Sequence, residues 1–588
     1  MADQVVAELS PEGDRIGIVS EFWRKEQVKM VPGASFLDEL KIWTVPATWQ
    51  SCQALRGIFG QDLVLGERLM SWAWSLKTER IDPLMELRDP TNFHTAGDER
   101  LYPYQRAGTA WLKAARTGLL ADEMGTGKTV QAAMALEELG PECFPVLIVC
   151  PNSMKYTWRS ELEKWAPATK KAVILEGGPK GRQAALDSVK GGDANVAIVN
   201  YETTWRMSRQ AGYGSMALTA GEKKDGPLNK VAWKTVILDE GHKIKNPRAQ
   251  QTRACWALGR MDTVRYRFIL TGTPIANRPN DLWALLNFLD SKQFPGMTKF
   301  IDRYCLMSYN GFGAIDISGM NPDHLEEFHR VVDPLMRRVT KDMVLKQLPP
   351  IMRTRRDCTM GTKQKAAYKA MLDAMIVELE TAEAEGSFIS ATTAIAQLTR
   401  LVQFASSYAE LVDDKVRLTE PSCKIDALED LMEDELEGEP IVVFAMSKQL
   451  IDLATARLEK KGIECRRITG GQTPADRQKN VDDFQNGRAQ VILCTVGAGG
   501  VGITLTRAKV AVFLQRSWSM VDNIQAEARV HRIGSEQHAS VTIIDLVSTG
   551  TVDERMQDVI LMKKERLEEI VRDREQLSRF LQLRPMED

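Results

Sequence analysis

ADEMGTGKT (residues 121–129) is the stretch on which the fold turns. Gly125 and Gly127 leave backbone N–H groups free to crowd around phosphate oxygens. Lys128 can then reach β- and γ-phosphates, and Thr129 offers a hydroxyl to Mg²⁺. WLKAARTGLL (111–120) leads into the loop, and VQAAMALEEL (130–139) has the apolar spacing of a helix whose N-terminus faces the phosphates. Asp122 stands where the usual pattern has glycine. The loop is therefore read as a nucleotide site over Asp122, Met124, Gly125, Thr126, Gly127, Lys128 and Thr129.

Short apolar runs surround the loop: VLIVC (146–150), VAIVN (196–200), VILDE (236–240) and RFILTG (267–272), separated by amphipathic stretches. Such alternation predicts an α/β fold with a parallel sheet wrapped by helices, here over 98–310. Residues 206–230 read as a long surface loop, and 311–421 as mainly helical. A second α/β pattern covers 422–556, with PIVVFA (440–445), CRRITG (465–470), QVILCT (490–495), KVAVFLQ (509–515) and SVTIIDLV (540–547). Residues 557–588 read as a charged C-terminal brace helix. In front, 1–97 reads as a small β-β-α accessory module: strands at VKMV (28–31) and KIWTVP (41–46), then a helix over 49–59 stopped by Gly60. Its tryptophans (Trp23, Trp43, Trp49, Trp72, Trp74) are expected in the core.

At 588 residues the chain exceeds what one core supports. A net charge of −2 means that binding of a polyanion must rest on local patches. The nine cysteines are scattered, with no C-x-x-C pair, so neither a zinc knuckle nor a disulfide frame is expected. The six histidines offer no metal constellation. An acidic start without an apolar h-region, and no apolar run of bilayer length, predict an intracellular soluble protein with no membrane partner.

Asp239 and Glu240 end an apolar strand, where doubly wound sheets bind ligands. Asp239 can hold Mg²⁺ through water while Glu240 polarises the attacking water. Gln105, in LYPYQ (101–105), either reads an adenine edge through its amide or begins a surface helix. Gln525, Arg529 and Arg532, in QAEARVHRIG (525–534), are spaced to share one helix face. They are either a solvated stripe or a half-site whose arginines stabilise charge on a transferring phosphoryl group. TGTP (271–274) is a relay of nucleotide state or a strand cap, and His242 is a candidate coupling residue. GAGGVG (497–502) matches G-x-G-x-x-G, yet KVAVFLQ follows too soon for a βαβ unit, so it is a tight loop and no Rossmann site.

Taken in order, YPYQ (102–105), DEMGTGKT (122–129), CPNSMKYTWRSELEKW (150–165), NYET (200–203), LDEGHKIKN (238–246), LTGTPIANRPNDLWALLNFL (270–289), LMRRVTKDMVLKQLPP (335–350), VILCTVGAGGVGITL (491–505) and SWSMVDNIQAEARVHRIGS (517–535) resemble the Swi/Snf family of helicase-like, DNA-dependent ATPases in helicase superfamily two. The resemblance covers about 98–556, and Asp122 is the family's usual residue. It implies two RecA-like lobes (98–310 and 422–556) with helical insertions over 311–421, ATP and Mg²⁺ as cofactors, and translocation along sequence-independent duplex or branched DNA. Carried over, Lys128, Thr129, Asp239 and Glu240 serve lobe one, and Gln525, Arg529 and Arg532 lobe two. Lys155, Asn200, Tyr201, Thr495, Gly499, Gly500 and Trp518 are the implied DNA contacts. The chain departs from the family at Thr126, Thr504, Ala528 and Ser535. The short GITLT and RVHRIG forms and the N-terminal module are most similar to the annealing-helicase branch with its HARP-type domain. A compact chain of this kind suits a bacterial or phage origin and a bacterial or infected-host cytoplasm, with the nucleus as the alternative. An RNA helicase and a catalytically weak DNA-binding scaffold stay open as other readings.

Overall fold

The computed structural model describes residues 4–89, 97–169, 171–274, 279–309, 315–384, 391–413, 415–499, 502–554 and 556. The chain divides between Val344 and Leu345 into two compact units. The C-terminal brace helix expected over 557–588 lies outside the described residues.

The first unit opens with strands β1 (Val5–Leu9), β2 (Arg15–Val19), β3 (Ser35–Leu37), β4 (Ile42–Pro46) and β5 (Leu63–Leu65). They form one sheet in the order β3-β4-β2-β1-β5, antiparallel except between β1 and β5. The helix Trp49–Phe59 follows β4 as expected: the Thr48 hydroxyl accepts the Ser51 N–H at 3.1 Å, and Gly60 ends the helix at φ 51°. Three expectations fail. VKMV is not a strand, because Lys25–Lys29 is a helix in which Val28 turns inward, with Val31 buried just beyond it. The β-β-α outline is also short by three strands. Nor do all the tryptophans belong to the core: Trp23 and Trp74 are 60% and 68% exposed, and Trp43 and Trp72 only flank the apolar cluster.

Next come β6 (Thr117–Leu120), β7 (Val146–Cys150), β8 (Ala172–Ile174), β9 (Val196–Asn200), β10 (Thr235–Asp239) and β11 (Tyr266–Leu270). A hairpin follows, β12 (Cys305–Tyr309) with β13 (Ile315–Met320), and then β14 (Met336–Arg337). Seven of these strands make a wholly parallel sheet, ordered β14-β6-β11-β10-β7-β9-β8. Helices cover the sheet, so β7 and β10 are buried at every position. The N-terminal module is tied to this lobe: the Trp49 indole N–H donates to the Arg330 carbonyl at 2.9 Å, and the Gln50 amide to the Tyr304 hydroxyl at 3.3 Å. The 206–230 stretch is less loose than expected, with short helices Ala220–Lys223 and Pro227–Lys230 and a fully buried Leu228.

The second unit holds β15 (Ile351–Cys358), the hairpin β16 (Tyr408–Val412) with β17 (Lys415–Thr419), and β18 (Ile441–Ala445), β19 (Cys465–Ile468), β20 (Val491–Thr495), β21 (Val510–Phe513) and β22 (Val541–Ser548). Its parallel sheet runs β15-β22-β21-β18-β20-β19. Along β18, Ile441, Val443 and Ala445 enter one apolar cluster while Val442 and Phe444 enter the other. That two-sided burial explains its unbroken apolar run. Helices Thr362–Ala384 and Ala391–Ser406 fill much of the segment expected to be helical, yet 311–421 also carries β13 to β17. Of these, β14 completes the first parallel sheet and β15 the second. Both are edge strands, and IMRTRRDC in β15 is mostly exposed, so it lacks the apolar signature of a strand.

Candidate functional site

Because β6, β11 and β10 are neighbours, the loops leaving their carboxyl ends emerge side by side. Those loops are 121–127, TGTP and the Asp239–Glu240 pair. Gly125 and Gly127 have φ of 86° and 82°, so the loop needs residues without Cβ. A Cβ on Gly127 would also lie 2.4 Å from the Gln105 amide nitrogen. Lys128 opens the helix Lys128–Leu139, with Thr129 beside it in the first turn. The Lys128 ammonium donates to the carbonyls of Asp122 (2.8 Å) and Glu123 (3.1 Å), which centres it within the loop. Burial lowers its pKa, against the pull of Glu240, Asp122 and Asp239. Thr126 is buried, and its hydroxyl donates to the Glu123 carbonyl at 2.8 Å. Met124 is buried against Gly272, where a Cβ would lie 2.5 Å from the Met124 side chain.

Two cofactor-binding expectations change character. Gln105 is buried, accepts the Tyr102 N–H at 3.0 Å and donates to the Thr126 carbonyl at 3.0 Å, so its amide caps a helix and braces the loop. Asp122 is fully buried: it pairs with Arg337 at 2.7 Å, accepts the Val339 N–H at 3.0 Å and is approached by the Gln131 amide at 3.3 Å. Its carboxylate is engaged by groups of the fold.

Asp239 accepts the Trp158 indole N–H at 2.8 Å, and its carbonyl accepts the Tyr201 hydroxyl at 2.8 Å. Burial and the neighbouring Glu240 raise its pKa to about 7, despite that indole bond. Glu240 adopts a left-handed backbone, φ 51°, which turns its side chain toward His242, 3.4 Å away. The His242 ring lies 3.1 Å from the Thr271 hydroxyl, and that hydroxyl accepts the Thr273 N–H at 3.1 Å. The acidic pair is thus linked through His242 to TGTP.

In the second unit the helix Met520–Glu527 ends before the arginines, so Gln525, Arg529 and Arg532 do not share one helix face. A turn brings the arginines together instead. Arg529 and Arg532 both donate to the Ile503 carbonyl, at 3.3 and 3.2 Å, and Arg529 also donates to the Gln525 carbonyl at 3.1 Å. Gln525 is buried and supports that turn through its backbone.

The expected DNA contacts divide. Tyr201 is 1% exposed and serves Asp239, and Lys155 is buried against Glu176 at 3.2 Å, so neither presents itself to a phosphate backbone. Asn200 and Thr495 are half-buried at strand ends, and Trp518 is half-buried beside an apolar cluster. Gly499 is buried, and a Cβ there would lie 2.6 Å from Cys494, so packing explains the glycine. Gly500 lies outside the described residues.

Residue-by-residue reading misses the contribution of MRRVTK (336–341). Beyond Arg337, Arg338 donates to the carbonyls of Ala121 (3.0 Å) and Gly272 (3.2 Å), and Lys341 N–H donates to Glu123 at 2.8 Å. Paired arginines directly after an apolar residue are the available signal, but most of their partners lie more than 200 positions earlier, and even Gly272 lies 66 away. The nine thiols are all free. Among the described residues no cluster of His, Cys, Asp and Glu could hold a metal alone, and no helix is long and apolar enough to cross a membrane.

Two parallel-sheet units, the first with a glycine-rich loop, an acidic strand end and a bridging histidine at the carboxyl ends of three neighbouring strands, define a two-lobed RecA-like architecture. The SNF2-related domain matches residues 68–406 and the helicase conserved C-terminal domain residues 423–534. The chain belongs to the SNF2-related family. It is 28% identical to the ISWI chromatin-remodeling complex ATPase ISW1 of Saccharomyces cerevisiae, over 80% of this chain and 40% of that protein. It is also 28% identical to the transcription regulatory protein SNF2 of the same yeast, over 77% of this chain and 27% of that protein. The chain thus spans less than half the length of either relative. Among solved structures, the Sulfolobus solfataricus SWI2/SNF2 ATPase core in complex with dsDNA shares 25% identity, with a TM-score of 0.37, over 80% of this chain and 92% of that one.

Proposed function

We propose that this protein is an ATP-hydrolysing, DNA-dependent translocase that acts on duplex or branched DNA. The observation that carries the reading is the shared edge of β6, β11 and β10, which gathers Lys128, the TGTP relay and the Asp239–Glu240 pair in a chain of the SNF2-related family. Lys128 exchanges its two loop carbonyls for phosphate oxygens. Glu240 orients the attacking water, and His242 with Thr271 reports its state to the TGTP loop. Arg529 and Arg532 supply positive charge for the transferring phosphoryl group.

The residues present fit Mg²⁺, an ion usually held by one or two carboxylates and substrate phosphates rather than by a protein cage. Two adjacent carboxylates, one with a raised pKa, call for a cation there. Thr129 and Asp239 would hold it, and when bound it would neutralise charge on the substrate phosphates. Asn200, Thr495 and Trp518, with the loop containing Gly499 and Gly500, remain the proposed backbone contacts.

The short GITLT and RVHRIG forms and the extra N-terminal module support placement near the annealing-helicase branch. The proposed borders are an accessory module over 1–97, lobes over 98–310 and 422–556, and intervening protrusions over 311–421.

The test is ATP turnover with no nucleic acid, single strand, duplex, fork and RNA. DNA is expected to raise the rate at least tenfold, and Lys128→Ala and Glu240→Gln to remove it. Equal turnover with and without DNA refutes the proposal, and stimulation by RNA alone replaces it with an RNA helicase.

A further inference from the structure

The N-terminal module holds a cleft of about 560 Å³ that lies before residue 68, where the family match begins. Its floor follows from sheet register. Ile18 pairs with Trp43, and Trp43 with Phe36, so the three side chains form one row across β2, β4 and β3. The Phe36 and Trp43 rings meet edge to face at 5.3 Å. The opposite wall is the Phe22–Lys29 segment, with the Phe22 ring 84% exposed. Rings left this open forfeit hydrophobic free energy, which marks the cleft as a surface that a partner covers.

Two observations define that partner. The first is a sheet edge beside the floor. Among the described residues β3 pairs with β4 alone, and all three of its residues are exposed. Such an edge presents backbone N–H and C=O groups that an extended peptide completes as a further strand. A strand added there carries every second side chain over the Phe36 row, toward Phe22 and Trp43. The second observation is charge. Lys25, Lys29 and Lys41 line the cleft against a single acidic lining residue, Glu21. Glu26 holds Lys29 at 2.7 Å, which leaves Lys41, and Lys25 at 5.6 Å from the centre of the Phe22 ring, to meet a ligand. Two cations beside apolar rings complement a peptide whose large apolar side chains are flanked by carboxylates. They fall short of the several phosphate contacts from which a nucleic-acid strand draws its affinity.

We propose that this cleft docks an extended, acidic segment of another protein, which adds a strand to β3, seats aromatic or aliphatic side chains on Phe22, Phe36 and Trp43, and sets carboxylates beside Lys25 and Lys41. The module then gives the chain a protein-binding surface in addition to the nucleotide and DNA contacts of the motor. The proposal goes beyond the motor reading. Its test involves no hydrolysis, so a chain that fails as a DNA-stimulated ATPase can still pass it.

The probe is a fluorescein-labelled peptide of about ten residues in which aspartates flank an alternating run of phenylalanine and serine. It is titrated by anisotropy with the full chain and with Phe22→Ala and Lys41→Glu variants. Phe22 and Lys41 are both exposed, so the fold is expected to persist, and unchanged circular dichroism and thermal unfolding check it. Each variant is expected to bind the peptide about tenfold more weakly, and Lys41→Glu to favour a matched peptide with lysine in place of aspartate. N-methylation of the peptide amides along one edge should abolish binding, and along the other leave it intact, because only one edge faces β3. A benzophenone in place of one phenylalanine is expected to crosslink within residues 18–43. No saturable binding below about 1 mM, wild-type affinity in both variants, or indifference to methylation of either edge overturns the proposal. Displacement of the peptide by an equal concentration of dT20 also overturns it, and leaves the cleft to nucleic acid.

Discussion

Asp122 stands where phosphate loops usually carry glycine, and the structure turns that departure into a buried strut. Asp122 and Arg337 are both fully buried and 2.7 Å apart. Removing one partner strands the other charge, which costs about 3–5 kcal/mol, whereas removing both costs less. Arg337→Met is therefore expected to lower the urea midpoint of the first unit markedly, and Asp122→Asn/Arg337→Met to recover part of the loss. Equal loss in the single and double variants would contradict a charge-pair role. At this scale the sequence is legible for groups that act locally. Lys128, Asp239 and Glu240 stand where the motifs imply. The roles of Trp158, Arg337 and the Gln105 amide are not legible, because each depends on partners brought close only by folding.

Among elements, burial decides what can be read. VLIVC and VAIVN coincide with β7 and β9 because both faces are covered and every residue but the terminal Asn200 is apolar. The helix expected to align Gln525, Arg529 and Arg532 ends early, and its last residue shows why the end is firm. Glu527 pairs with Arg353 and Arg516 at 2.6 Å each, and Arg516 also holds Asp545 at 2.6 Å, which clamps the helix end to β15 and β22. Burial raises the Glu527 pKa, but the two arginines outweigh it and bring it down to about 2. Since the folded pKa is depressed, this contribution is fully present above the unfolded value near 4.5 and disappears as pH falls toward 2. Hydrogen exchange over 520–548 should accelerate between those limits. Glu527→Gln should exchange faster at neutral pH and lose that acid-induced step.

For the whole molecule, a net charge of −2 makes attraction to DNA a local matter. A translocase that tracks a backbone through six or more phosphates should lose about 10³-fold in duplex affinity between roughly 50 and 200 mM salt. A slope near zero would count against backbone tracking. The two-sheet plan is legible from two runs of strand alternation, and its edges are not. β14 has two residues and β15 is a charged, exposed strand, so neither announces which sheet it joins.

β14 has a mechanical consequence. It meets β6 at only two register positions, Met336 with Leu119 and Arg337 with Leu120, and the first unit ends soon after, at Val344. Tension along the connecting chain would therefore meet the bonds of Lys341, Val339 and Arg338 to Glu123, Asp122 and Ala121 before it reached this short ladder. The Arg337 guanidinium, anchored on Asp122, acts as a rivet that carries this load into the base of the phosphate loop. A chain that pulls on DNA would in this way strain its own fuel-binding loop, so that mechanical resistance and chemical readiness meet in one buried ion pair.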